Sequence, residues 1–208
     1  SPHGIGTLGK EAYEWIDFLA EAKQTFWQLL PVGPTGYGNS PYQSFSTYAG
    51  NPYFISPDLL AEDGLLKKDE YRGMFSDLPA DRVDYGALFL RKEPLLRIAV
   101  ARLYETPPPW VSQFFADAAG WLEDYALFSA LKRENHGAPF WEWRAGEREG
   151  DAAALEEARR RLSEDIRYEK GVQYLFFSQF ARLKAYAAKR GVRLFGDLPF
   201  YVSADSAD

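Results

Sequence analysis

The sequence predicts an α/β protein, and three observations carry that reading. Two short apolar segments, Thr25–Val32 and Val192–Val202, have the composition of strands. The roughly 160 residues between them are patterned mainly as helix. A loop dense in glycine and tyrosine, Gly33–Tyr53, leaves the first strand at its carboxyl end. Strands apolar on both sides belong to parallel sheets covered by helices. In such folds ligand sites gather at the carboxyl ends of the strands.

Taken in order, Gly9–Lys23 reads as an amphipathic helix. Ala12, Trp15, Ile16, Leu19 and Ala22 follow the i, i+3, i+4, i+7 spacing. Thr25–Val32 follows as a strand. Ser56 and Asp58 mark the start of a short helix. Pro94 suits the first turn of a helix running to about Tyr104, and Pro107, Pro108 and Pro109 stop it. Trp110–Glu134 holds one or two more helices, ended by Asn135, His136 and Gly137. Phe140, Trp141 and Trp143 form an aromatic knot that is more readily core than ligand platform. Asp151–Asp165, with its charge run at Glu156–Arg161, reads as an exposed helix. Tyr168–Arg190 is a long helix with an aromatic stripe at Tyr174, Phe177 and Ala181, and Gly191 suits its C-cap. Val192–Val202 is the second strand, with Gly196 and Asp197 at its end. Two strands cannot close a barrel, which takes about eight. The chain begins at Ser1-Pro2 and stops at Asp208 just past a strand, so both ends are expected to be cut.

Composition narrows the function. The 208 residues are 46% hydrophobic and 26% charged, a foldable balance. A net charge of −6 argues against nucleic acid as a partner. The absence of cysteine excludes disulfides and thiolate metal sites. With only His3 and His136 available, a multi-histidine zinc site is not expected. No apolar run approaches the roughly 18 residues of a membrane span. The N-terminus lacks the basic and apolar regions of a signal peptide. A cytoplasmic protein without membrane partners is the expectation.

Gly4, Gly6 and Gly9 fit G-x-G-x-x-G, but Ser-Pro-His precedes them where a dinucleotide site needs a strand. A tight loop entering a helix accounts for them better. Gly33–Ser40 nearly fits a phosphate loop, yet Asn39 stands at the lysine position and Pro41 follows where a helix should begin. The better account of this loop is sugar recognition. Tyr37, Ser40, Tyr42 and Gln43 interleave flat rings with hydroxyl and amide groups, which suits the apolar faces and hydroxyl rim of a sugar. A packed tyrosine-rich loop with satisfied hydroxyls is the alternative. Asp197 is either an acid–base or site-shaping carboxylate, or a structural acceptor of backbone N–H groups. Asp205 and Asp208, on the same rim, are expected to cap helices.

Three separated stretches carry a resemblance: SPHGIGTLGKEAYEWIDFLAEAKQTFWQLLPVGPTGYGNSPYQSFSTYAGNPYFISPDLL, WLEDYALFSALK and GDLPFYVSADSAD. Together they resemble the N-terminal portion of the amylomaltase, or disproportionating enzyme, family of 4-alpha-glucanotransferases. The resemblance implies a partial (β/α)8 TIM barrel with helical insertions. Residues 1–55 would supply the first barrel helix, a strand and a glucan-binding loop, 56–167 a mainly helical insertion, and 168–208 a barrel helix and its strand. It implies transfer of α-1,4-glucan segments between maltooligosaccharides by a retaining mechanism, with an Asp nucleophile, a Glu acid–base and a stabilising Asp. No metal or organic cofactor is implied. In the family the opening strand precedes SPHGIG and the three carboxylates follow GDLPFYV, so no catalytic residue is assigned to this chain, which is expected to be inactive alone. Tyr37, Ser40, Pro41, Tyr42 and Gln43 would form the glucan-binding loop, with Asp197 in support on the rim. The rival readings are a retaining α-glucan hydrolase, a non-catalytic glucan-binding module and, on Gly4–Gly9, a nucleotide enzyme.

Overall fold

The computed structural model describes all of residues 1–208 except Tyr37, Phe200 and Val202. The described elements are α1 (Lys10–Glu21), β1 (Phe26–Gln28), α2 (Pro57–Glu62), α3 (Lys68–Tyr71), α4 (Tyr85–Glu105), α5 (Val111–Glu134), α6 (Ala145–Arg148), α7 (Ala152–Arg161), α8 (Ser163–Lys189) and β2 (Arg193–Phe195), with short 3-10 turns at Pro52–Phe54 and Phe140–Glu142. The chain is thus mixed α/β and mostly helical. Among the described residues no helix is long and apolar enough to cross a membrane.

The two strands pair in parallel, Phe26 opposite Arg193, Trp27 opposite Leu194 and Gln28 opposite Phe195. Both are shorter than the apolar runs that predict them. The ladder stops near Leu30-Pro31, where Pro31 has no N–H to donate. Nor is the pair covered on both faces. Trp27 and Leu194 are half-buried while Phe26 and Phe195 are exposed.

Helix α8 is the axis of the molecule. Its residues 171–176 are all buried, and α1, α4, α5, α7 and β2 pack around it. Ile16 and Leu19 of α1, Leu88, Leu96 and Leu103 of α4 and Leu183 of α8 share this core. Trp15, placed by spacing on the core face of α1, is instead exposed and stacks on Phe18 at 5.3 Å. Within the α8 stripe Tyr174 is buried, Phe177 half-buried and Ala181 exposed. A second, smaller core gathers Leu127, Phe128, Leu131, Trp143, Ala158 and Leu162, with Phe45 and Phe140 at its edge. Trp143 is therefore core, its indole N–H donating to the Ala138 carbonyl at 2.9 Å, while Trp141 stays exposed.

Pro94 is not in a first turn. It lies inside α4, which starts nine residues earlier with Asp84 as its N-cap, accepting from the Ala87 N–H at 2.9 Å. The carbonyl that Pro94 deprives of a partner belongs to Leu90, which is 72% exposed, so water can serve it. Gly191 does close α8. Its φ is +76°, its N–H bonds to Ala188 O, and the Val192 N–H bonds to Ala187 O, a Schellman closure. Gly191→Ala should lower stability by about 1 kcal/mol, because a Cβ disfavours left-handed backbone. Urea unfolding would measure it, and an unchanged midpoint would count against the closure.

The Gly4–Gly9 loop leads into α1 and is anchored, as the plainer reading has it. The buried His3 ring places Nε2 2.8 Å from Asp58 Oδ2, and Tyr71 donates to Asp58 Oδ1 at 2.7 Å. These bonds, with burial opposing them, leave the Asp58 carboxyl below its ordinary value.

Candidate functional site

The aromatic loop is built as a pinched hairpin. Beyond β1 the chain runs through Pro31 to an antiparallel bridge between Thr35 and Ser44. Gly36 N–H bonds to Gln43 O at 3.0 Å and Phe45 N–H to Pro34 O at 3.3 Å, which closes the base. At the tip, Asn39 N–H bonds to Gly36 O and Gln43 N–H to Ser40 O, both at 3.1 Å. The buried Ser44 hydroxyl sits within hydrogen-bond reach of Pro34 O and Ser46 O.

Ser40, Pro41, Tyr42 and Gln43 occupy that tip. Ser40 serves the turn through its carbonyl, and its hydroxyl accepts weakly from the Tyr42 N–H at 3.4 Å. Pro41 is half-buried, and the Gln43 side chain is exposed. Tyr42, 42% exposed, donates its phenol proton to Asp197 Oδ2 at 2.7 Å. That bond holds the phenol above its ordinary pKa. It also joins the loop after β1 to the residue two places beyond β2. Tyr37 lies outside the described residues.

Beside this pair lies a shallow cleft of about 120 Å³, lined in part by Gly33, Thr47, Tyr48, Asp197 and Leu198. It is smaller than the several hundred Å³ typical of a small-molecule pocket. Tyr48, 61% exposed, stands at its lip, stacked on Trp121 at 6.3 Å. Two larger cavities, about 410 and 470 Å³, open between the helices and include no residue of the loop.

Among the described residues Asp205 and Asp208 cap no helix. Asp208 accepts from the Ser46 hydroxyl at 2.9 Å and the Thr47 N–H at 2.6 Å, while the Ala207 N–H bonds to Phe45 O. Asp205 pairs with Lys132 and accepts from the Phe140 N–H at 3.2 Å. The same Lys132 ammonium lies over the Phe45 ring at 5.2 Å. The segment after β2 is thereby stitched to both the aromatic loop and α5.

The loop's exit is held by residues that spacing did not single out. Gln173, fully buried in α8, accepts from the Gly50 N–H at 2.7 Å and donates to Gly50 O at 3.0 Å. Gln179 does the same for Ser56, at 2.7 and 3.1 Å. Gly50 itself abuts Phe176, where a Cβ would come within 2.0 Å of the ring. The available signal was an amide within a buried helical stretch, since such a group needs polar partners from elsewhere. Among the described residues no cluster of His, Cys, Asp and Glu is arranged to hold a metal.

Residues 1–208 match the family model described as 4-alpha-glucanotransferase. A 4-alpha-glucanotransferase of Clostridium butyricum is 42% identical over 206 residues, which cover 99% of this chain and 42% of that protein. One from Thermus thermophilus is 44% identical over 211 residues, covering 100% and 41%. Among solved structures, amylomaltase from Streptococcus agalactiae in complex with acarbose superposes with a TM-score of 0.95 at 40% identity, covering 100% of this chain and 42% of that one. Amylomaltase from Corynebacterium glutamicum, 17% identical with a TM-score of 0.70 over 99% of this chain and 29% of its own, shares the fold. The chain spans about two fifths of the length of these curated relatives. The family model spans residues 1–208 and the backbone superposes on a solved member over the whole of this chain, so this chain belongs to the 4-alpha-glucanotransferase family.

Proposed function

We propose that the protein carrying this sequence transfers α-1,4-glucan segments between maltodextrins, and that the loop tip with Asp197 forms part of its glucan-binding cleft. The observation that carries this is the Tyr42–Asp197 hydrogen bond. It sets an exposed ring and a carboxylate side by side where two parallel strands end. Ser40, Pro41 and Gln43 sit in the same turn, and Tyr37 belongs with them by sequence. Asp197 orients the Tyr42 ring, and its second oxygen can accept a sugar hydroxyl. Membership of the family, and a relative solved in complex with acarbose, support the assignment.

The reading extends to architecture. A parallel pair with exposed Phe26 and Phe195 is a fragment of sheet in want of neighbours. We take β1 and β2 as strands of a (β/α)8 barrel. Residues 1–55 and 168–208 then contribute barrel elements, and 56–167 form a helical insertion.

The chemistry is a double displacement by two carboxylates. A nucleophilic Asp forms a covalent glycosyl-enzyme, and a Glu gives and then takes the proton. The three carboxylates on this rim are already engaged: Asp197 by Tyr42, Asp205 by Lys132, Asp208 by Ser46 and Thr47. By the resemblance to the family, the reacting groups are assigned to residues outside this sequence. The reading places the enzyme in the cytoplasm, in maltodextrin or glycogen metabolism.

Incubating the complete protein with maltotriose and labelled glucose tests the proposal. Labelled dextrins longer than the substrate are expected. Unlabelled shorter products alone would mean hydrolysis, and binding without turnover would mean a binding module. Tyr42→Phe should reduce kcat/KM about tenfold, mostly through KM, as loss of one charge-assisted hydrogen bond predicts. An unchanged KM for maltotriose would remove Tyr42 from the site.

A further inference from the structure

One cavity lies apart from the aromatic loop and inverts the charge of its surroundings. It has a volume of about 410 Å³ and opens between α4, α5, α7 and α8. Its floor is apolar, with Phe115, Leu127 and Ile166. Its rim carries Arg159, Arg167 and Lys170 against a single carboxylate, Glu123, in a chain whose net charge is −6. That carboxylate is taken by Lys170. Arg159 reaches Asp124 only at 3.8 Å. Arg167 lies over the Tyr104 ring at 4.1 Å and, among the described residues, has no carboxylate within 4 Å. Asp165, in the first turn of α8, is turned away toward Arg97 and Arg133. Two arginines therefore line one cavity, Arg167 with no carboxylate partner among the described residues and Arg159 with only a long one, and Ser163 lines it too.

We propose that this cavity binds a phosphomonoester whose uncharged body carries an aromatic ring. Guanidinium forks match phosphate oxygens in charge and geometry, and two of them suit a dianion better than a single carboxylate. The volume falls within the range of small-molecule sites. The apolar floor receives the body of the ligand, and the rim receives the phosphate. The site is independent of the glucan cleft, because it shares no residue with the aromatic loop or with Asp197.

Calorimetric titration of the complete protein with AMP, adenosine and inorganic phosphate tests this. AMP should bind at least about tenfold more tightly than either of its halves, the effect of one charge-assisted contact or of the buried ring. Its affinity should fall on raising the salt. The double variant Arg159→Ala with Arg167→Ala should bind AMP at least about tenfold more weakly, with an unchanged urea midpoint, and lysine at both positions should restore part of the affinity. Maltotriose should not compete. Equal binding of AMP and adenosine, an unaffected double variant, or displacement of AMP by maltotriose would each overturn the assignment.

Discussion

Gln173→Leu should destabilise the protein by about 4 kcal/mol and loosen the aromatic loop from α8. The glutamine amide satisfies both backbone groups of Gly50 in a buried setting. Leucine fills similar space but answers neither group. Each orphaned buried polar group costs about 1–3 kcal/mol. Gly50 cannot retreat to find water without dragging the chain away from Phe176, against which it is pressed. The loss should therefore appear twice. The urea midpoint falls, and on the proposed function KM of the complete protein for maltotriose rises, because Tyr42 no longer holds its place beside Asp197. An exposed helical control, Gln113→Leu, should change stability by less than about 0.5 kcal/mol. A cost below about 1 kcal/mol for Gln173→Leu would show that the loop is held by something else.

Lys92→Met should make the protein more stable at pH 6 and slightly less stable at pH 10. Lys92 is 1% exposed, and its ammonium donates to the Tyr53 carbonyl. Burial pushes its pKa down from the ordinary lysine value to about 7. Below pH 7 the folded state must hold a buried charge, a penalty of up to about 5 kcal/mol for a displacement of that size. Between pH 7 and roughly 10 the unfolded chain still binds the proton and the folded chain does not, so stability rises with pH. Above pH 10 neither form is charged at this position. There the buried phenols act in the opposite sense. Burial raises Tyr125 and Tyr168, and also Tyr104 to about 12, so the unfolded chain ionises first and stability falls. The native protein should thus be most stable near pH 9–10. Methionine removes the rise between pH 7 and 10. It gains about 3 kcal/mol at pH 6 and loses about 1 at pH 10, where the missing donor to Tyr53 is the remaining effect. Urea unfolding across that pH range measures both, and parallel profiles for the two proteins would exclude the lysine as their cause.

Periodicity and punctuation revealed most of the helices. The spacing of Ala12, Ile16 and Leu19 marks α1, Ser56 caps α2, and Gly191 closes α8. Pro94 misled because proline favours first turns. The competing signal is Asp84, which caps the helix three residues before Ala87, and exposure of Leu90 makes the internal proline tolerable. The parallel pairing followed from composition, but strand length did not, because a ladder extends only as far as a partner runs beside it. At the site, the turn residues Ser40 to Gln43 were legible as a unit. Their link to Asp197 lies 155 residues away, and the carboxylate ties of Asp205 and Asp208 are equally remote. No periodic pattern encodes contacts of that kind.

The tie between Ser46 and Asp208 spans 162 residues. At translation rates of roughly 5–20 residues per second, the loop leaves the ribosome about 8–30 s before its clamp has been made. Helical neighbours emerge during that interval, but the carboxylate that ties Ser46 does not. Within this sequence the aromatic loop is therefore fastened only after all of the described helices have been made.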